Sequence, residues 1–337
     1  MSNTMARPAE GARERVGTAW AVRLRASMQQ LMIVGTLVAL LVVFSIASPY
    51  FMQWSNITSL LMASAVTGIQ ALGVTFAIAT GGIDITPGFG MAMTGVVCAM
   101  SMVTFGAPIW LGVLLGIAAG ALLGWVNGLL IARLGLQPMI ATLAMMLVAQ
   151  GTALVLSGSR PVYTTDVEGF DRIARGTPLL GIPNAVWIFF AAAGVAWVLL
   201  TKTLLGRYAL SMGSSEEATR LSGVDVRRWK WAVYVLAGSF TGLSGVVMAS
   251  RLSAAQPATG AGYEMYAIAA AVIGGASLAG GRASIVGTVI GSLIITTINN
   301  GLQILSVPDP WQKIVLGSVV VLAVVVDVRR QRSSRRA

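Results

Sequence analysis

Of the 337 residues, 56% are hydrophobic and only 10% charged, with a mean hydropathy of +0.79; a soluble surface, nearer a quarter charged, cannot be made from this composition. The net charge of +11 does not form a nucleic-acid-binding stripe, because the 23 Lys and Arg residues collect in the tails and one loop, where they act as topology determinants. The absence of histidine removes Ser-His and Cys-His dyads and histidine metal sites, the absence of Gly-Lys removes the phosphate-binding GxxxxGK[ST] loop, and the lone Cys98 offers no disulfide or zinc framework, so no catalytic residue, metal or cofactor is expected.

The chain opens with a polar tail over 1–28 carrying Arg7, Arg13, Arg15, Arg23 and Arg25. A first apolar run over 31–47 ends at Ser48-Pro49, a poor cleavage site, so it reads as a retained span. Further runs over 57–80, 88–105, 109–133, 139–157, 182–201, 231–249, 263–279, 285–304 and 311–327 bring the expectation to about ten spans. The fold class is therefore an all-α polytopic bundle with a transmembrane domain over 29–328 and a basic tail over 329–337. An even count puts both termini on one side, and most Lys and Arg then fall on the cytoplasmic side.

Ionisable and amide groups at membrane depth line a path, pair, or glue helices. Asp84 stands in Gly81-Gly82-Ile83-Asp84-Ile85-Thr86-Pro87-Gly88, where glycines and proline interrupt two spans. It reads either as part of a path or gate, or as a helix cap at a turn. Gln70, Asn127, Gln150, Asn299, Asn300 and Gln303 read either as hydroxyl-binding amides of a path or as interhelical glue. Two short echoes, Gly81-Gly82 to Gly88 against Gly274-Gly275 to Gly281 and Asn127-Gly128-Leu129 against Asn300-Gly301-Leu302, raise an internal repeat against coincidence.

Two connections are long. The outer loop over 158–181 carries Arg160, Asp166, Glu168, Asp171, Arg172 and Arg175, and a later outer loop is flanked by Arg251 and Glu264. The cytoplasmic stretch over 202–230 contains a self-contained helix signal. Ser214 with Glu217 makes a capping box, Glu216 and Glu217 suit the positive N-terminus, and Gly223 supplies the stop. Ala218 and Leu221 share a face that fits a partner's groove, flanked by Glu217 and Arg220, although an interfacial helix lying under the membrane reads the same way.

Glu217-Ala218-Thr219 followed by Gly223 resembles the EAA-x-x-x-Gly loop of ABC importer permeases. The longer runs ATRLSGVDVRRWKWAVYVLAG and ARLSAAQPATGAGYEMYAIAAAVIGGASLAGGRASIVGTVIGS, then NNGLQIL, are similar to permease subunits of ribose-type monosaccharide ABC importers, as are TGGIDIT (80–86) and MIATLAMM (139–146). Ser250 departs from the alanine usual before Arg251. The resemblance implies a multi-pass protein of the bacterial inner membrane, paired with itself or a paralogue. It also implies an ATPase subunit on Ser214, Glu216, Glu217, Ala218, Arg220, Leu221 and Gly223, and a sugar-binding protein meeting Arg160, Asp166, Arg172, Arg251 and Glu264. A permease for a branched-chain amino acid or a sugar-derived signal, and a stand-alone secondary transporter, are the competing expectations.

Overall fold

A computed structural model of the chain describes residues 31–336, so the expected tail over 1–28 lies outside the described residues. Helix α1 (Leu31–Ala47) leads to α2 (Trp54–Ala79), α3 (Pro87–Val103), α4 (Ile109–Ala132) and α5 (Pro138–Ser157). Strand β1 (Val162–Tyr163) and the single turn α6 (Arg172–Arg175) precede α7 (Asn184–Lys202), α8 (Leu204–Ser214), α9 (Glu216–Leu221) and α10 (Val226–Leu252). Strand β2 (Ala254–Ala255) and helices α11 (Tyr263–Ile273), α12 (Ile285–Ile304) and α13 (Asp309–Arg336) complete the chain, so the expected basic tail continues the last helix.

The protein is all-α with a minimal two-stranded pairing. Among the described residues seven helices are long and apolar enough to cross a membrane: α2, α4, α5, α7, α10, α12 and α13. The expectation of about ten full spans is reduced by α1 and α3, with 17 residues each, and above all by α11, with 11. At 1.5 Å per residue α11 covers about 16 Å, half of a hydrocarbon core. The run over 263–279 looked long enough because Ala276, Leu278 and Ala279 continue it in composition, but Gly274 caps the helix and Gly275 (φ +97°) turns the backbone away.

Proline starts several helices where a missing N–H costs nothing, at Pro87 of α3 and Pro138 of α5. Helix α2 is the hub, with 83% of its apolar window enclosed against 12% for α13. It packs on α7, α10, α11 and α12. The closest pair is α4 and α10. On α4 the residues Gly112, Gly116, Gly120, Gly124 and Gly128 recur every fourth position, forming one stripe along the helix. Cβ atoms built at Gly120 would come within 2.7 Å of the Gly242 Cα, and at Gly238 within 2.8 Å of the Gly124 Cα. The two backbones therefore touch along a seam that only hydrogen side chains permit.

Candidate functional site

Helix α10 separates two polar regions, because its start adjoins α9 and its end adjoins β2; its 27 residues place them about 40 Å apart.

At the first end, α8 runs through Ser214, so Ser214 is not the expected cap. The extended backbone needed for capping falls at Ser215 (φ −162°), whose Oγ accepts the Ala218 N–H at 3.2 Å. The sequence carried two adjacent serines, and only the length of α8 decides between them. Glu216 and Glu217 lie in the first turn and Gly223 (φ +84°) follows the last. Two contacts fix this six-residue helix: Thr219, 3% exposed, shares a 2.8 Å hydroxyl contact with Ser211 of α8, and Lys230 of α10 donates to Glu216 at 2.6 Å. Leu221 is 82% exposed, and Glu217, Ala218 and Arg220 are exposed beside it. A firmly seated helix thus presents an unpartnered leucine.

The linker over 80–86 is the second feature. Gln70 donates to the Pro87 carbonyl at 3.2 Å. Since Gln70 lies nine residues before the end of α2, the linker climbs about 13 Å back along α2 before α3 begins. A Cβ at Gly260 would come within 2.7 Å of the Phe89 Cα, and Gly88 abuts the Glu264 carboxylate, so α3 and α11 both begin inside the bundle with their N-termini together. Asp84 Oδ1 accepts the Thr86 N–H at 2.9 Å, a local turn contact close to the cap reading. Asn127 of α4 donates to Thr86 Oγ1 at 2.7 Å, and Thr142 of α5 accepts the Ile85 N–H at 3.3 Å and donates to the Ile83 carbonyl at 3.2 Å. Gly82 faces the buried Tyr234 hydroxyl of α10.

Gln70, Asp84 and Asn127 are therefore enclosed inside one chain, at 0%, 2% and 1% exposure. Their bonds hold the linker, as the cap and interhelical-glue readings expect. Asn300 exchanges bonds with Asn56 at 2.8 and 3.0 Å, while Asn299 pairs along its own helix with exposed Gln303 at 3.1 Å. Thr86, Thr142 and Tyr234 were missed because an isolated hydroxyl in an apolar run carries no sequence signal.

At the far end of α10, Val162 pairs antiparallel with Ala255 and Tyr163 with Ala254. Ser250, fully buried, donates to the Phe170 carbonyl at 2.7 Å and accepts the Ala174 N–H at 2.9 Å, so its hydroxyl laces the loop over 158–181 onto α10. Arg175 donates to the Arg251 carbonyl at 2.8 Å. Arg160, Asp166 and Arg172 remain exposed and Arg251 is half-buried. Glu264, half-buried, turns one oxygen inward against Gly88, while the other accepts the Gly262 N–H at 3.2 Å.

The family model described as "Branched-chain amino acid transport system / permease component" matches residues 56–324. The chain is 43% identical over 302 residues to the ribose import permease protein RbsC of Escherichia coli strain K12, covering 88% of this chain and 94% of that one. It is 38% identical over 292 residues to the D-allose transport system permease protein AlsC of the same strain, covering 86% and 89%. It is 37% identical over 306 residues to the L-arabinose ABC transporter permease protein AraH of Azospirillum brasilense, covering 90% and 89%. No solved structure matches the chain.

Proposed function

The chain belongs to the branched-chain amino acid transport system permease component family, and we propose that it is the membrane-spanning subunit of an ATP-driven importer that passes a monosaccharide across the bacterial inner membrane. The observation that carries the sugar is that relatives named for ribose, D-allose and L-arabinose transport each cover at least 86% of the chain. Both termini face the cytoplasm in this reading, which follows from the placement of Lys and Arg. Helices α1 and α3 and the half-length α11 then supplement the seven long spans.

Two copies, or one copy and a paralogue, enclose the path. A cytoplasmic ATPase docks on the exposed Glu217, Ala218, Arg220 and Leu221, with Ser214, Ser215, Glu216 and Gly223 shaping that helix. An extracytoplasmic binding protein meets Arg160, Asp166, Arg172 and Arg251, held on the loop that Ser250 anchors. Asp84, Gln70 and Asn127, which hold the linker and so the starts of α3 and α11, belong with Asn299, Asn300 and Gln303 to the path or its gate. Closure of the ATPases moves α9 and shifts the bundle between inward- and outward-facing states.

The test is labelled-sugar uptake into vesicles holding this chain with its ATPase and binding protein, against vesicles holding the chain alone. ATP-dependent uptake by the full set and none by the lone chain is expected, and uptake by the lone chain refutes the reading. Competition by ribose, allose, arabinose and leucine identifies the solute, with leucine testing the description that the family model carries.

A further inference from the structure

We infer that Gly213, together with the turn through Gly280 and Gly281 and the end of α2 at Ala79, forms a rigid joint that carries displacement of α9 directly to α2 and α11. The inference rests on the reading of α9 as the ATPase-docking helix.

Gly213 is the penultimate residue of α8, two residues from the cap of α9. A Cβ there would overlap the Ala79 carbonyl and the Gly281 N–H and lie 3.0 Å from the Gly280 carbonyl carbon. The contact is mutual, since a Cβ on Gly280 would come within 2.7 Å of the Gly213 Cα and 2.8 Å of the Gly81 N. The Gly281 N–H donates to the Ala79 carbonyl at 3.0 Å. Three backbones that are more than sixty residues apart in sequence thus meet without a side chain between them, and one hydrogen bond joins two of them.

The turn is itself stiff. Ser277 and Arg282 close it through a backbone bond of 3.0 Å, Gly280 N–H returns to the Ser277 carbonyl at 2.8 Å, and Leu278 N–H donates to Asp327 of α13 at 3.3 Å. Gly280 (φ +84°) and Gly281 (φ +75°) adopt backbone conformations that side chains disfavour. On the other side of the joint α9 is bound to α8 through Thr219 and Ser211 and to α10 through Glu216 and Lys230. Close packing leaves no soft layer to absorb movement between the docking face and the two interior helices. Since α2 is the hub and α11 starts beside α3, displacement delivered at Gly213 reaches the interior directly.

Gly213 is a positioning residue, so the informative quantity is sugar imported per ATP hydrolysed by the assembled importer, a ratio that simple loss of folded complex leaves unchanged. Gly213→Ala is expected to lower that ratio at least tenfold while the ATPase still co-purifies; an unchanged ratio overturns the inference. A second variant, Gly194→Ala on α7, adds the same methyl group where it meets nothing within 4 Å, and its ratio is expected to stay within about twofold of the unmodified importer. An equal fall in both variants overturns the inference, because the loss would then not depend on the contact at Gly213. If the unmodified importer shows no ATP-dependent uptake, the functional reading fails instead.

Discussion

Replacing Gly120 with valine tests the seam between α4 and α10. The new Cβ would overlap the Gly238 carbonyl oxygen and sit 2.6 Å from the Gly242 N and 2.7 Å from its Cα, against 3.4 Å for ordinary contact, so the helices must part by at least 0.8 Å. A gap of that size forfeits about a quarter to a half of each dispersion contact it opens. Overpacking of this kind costs about 1–3 kcal/mol, and Gly116, Gly124 and Gly128 also meet α10, at Val246, Tyr234 and Trp231, so the separation spreads along the seam, which favours the upper end. The helix preference of valine over glycine returns only about 0.4 kcal/mol. The net loss is about 2 kcal/mol. The assay is thermal unfolding of the purified chain in lipid nanodiscs, with Gly151→Val on α5 and Gly194→Val on α7 as controls, because a Cβ at either position meets nothing within 4 Å. A melting temperature several degrees below both controls is expected. Equal melting of all three variants refutes the argument that the seam is set by backbone contact.

Leu221→Asp, at 82% exposure, is expected to change stability by less than about 0.5 kcal/mol while abolishing ATPase co-purification and ATP-driven uptake; retained uptake removes α9 as the docking helix. Ser250→Ala removes the hydroxyl shared by the Ala174 N–H and the Phe170 carbonyl, which keep only their 3.2 Å backbone bonds with Asp171 and Ile173, at a cost of about 1 kcal/mol, and faster proteolysis of the loop over 158–181 checks it. Asn127→Leu removes the donor to Thr86 Oγ1, which keeps its bond to the Thr142 carbonyl, and is expected to lower thermal stability by about 1 kcal/mol and speed hydrogen exchange over 80–86; unchanged exchange there argues against the linker-holding role. Lys230→Met breaks an ion pair whose carboxylate side is half exposed, so its cost is at most about 1 kcal/mol, read by thermal unfolding.

The apolar runs of α2, α4, α5, α7, α10, α12 and α13 were legible because the membrane demands about twenty apolar residues from any full crossing. Helix α9 was legible from local capping chemistry, to within the one residue that separates Ser214 from Ser215. The short α11 was not, because hydropathy weighs Ala276 and Ala279 as helix while the break depends on backbone angles at Gly275, Gly280 and Gly281. Side-chain direction was also hidden. Glu264 reads as a span-end charge in sequence and turns inward because α3 begins beside it. The glycine echo between 81–88 and 274–281 has a physical counterpart, as the two turns touch at Gly81 and Gly280. The asparagine echo has none: Asn127 bonds the linker and Asn300 bonds Asn56.

The enclosure of α2 sets a problem of timing during synthesis. Its hydroxyls at Ser64 and Thr75 find partners on Thr296 and Thr288 of α12, more than two hundred residues later. At about 5–20 residues per second, α2 waits on the order of ten to forty-five seconds before those partners emerge. Throughout that interval Ser64 and Thr75 have only the Leu60 and Ala71 carbonyls one turn back on their own helix, whereas Gln70 meets the Pro87 carbonyl as soon as α3 begins. The side of α2 that α12 covers is left meanwhile to an insertase or to provisional pairing with α3 and α4. Ribosome-stalled chains ending before α12 should crosslink to that machinery through α2, and chains ending after it should not.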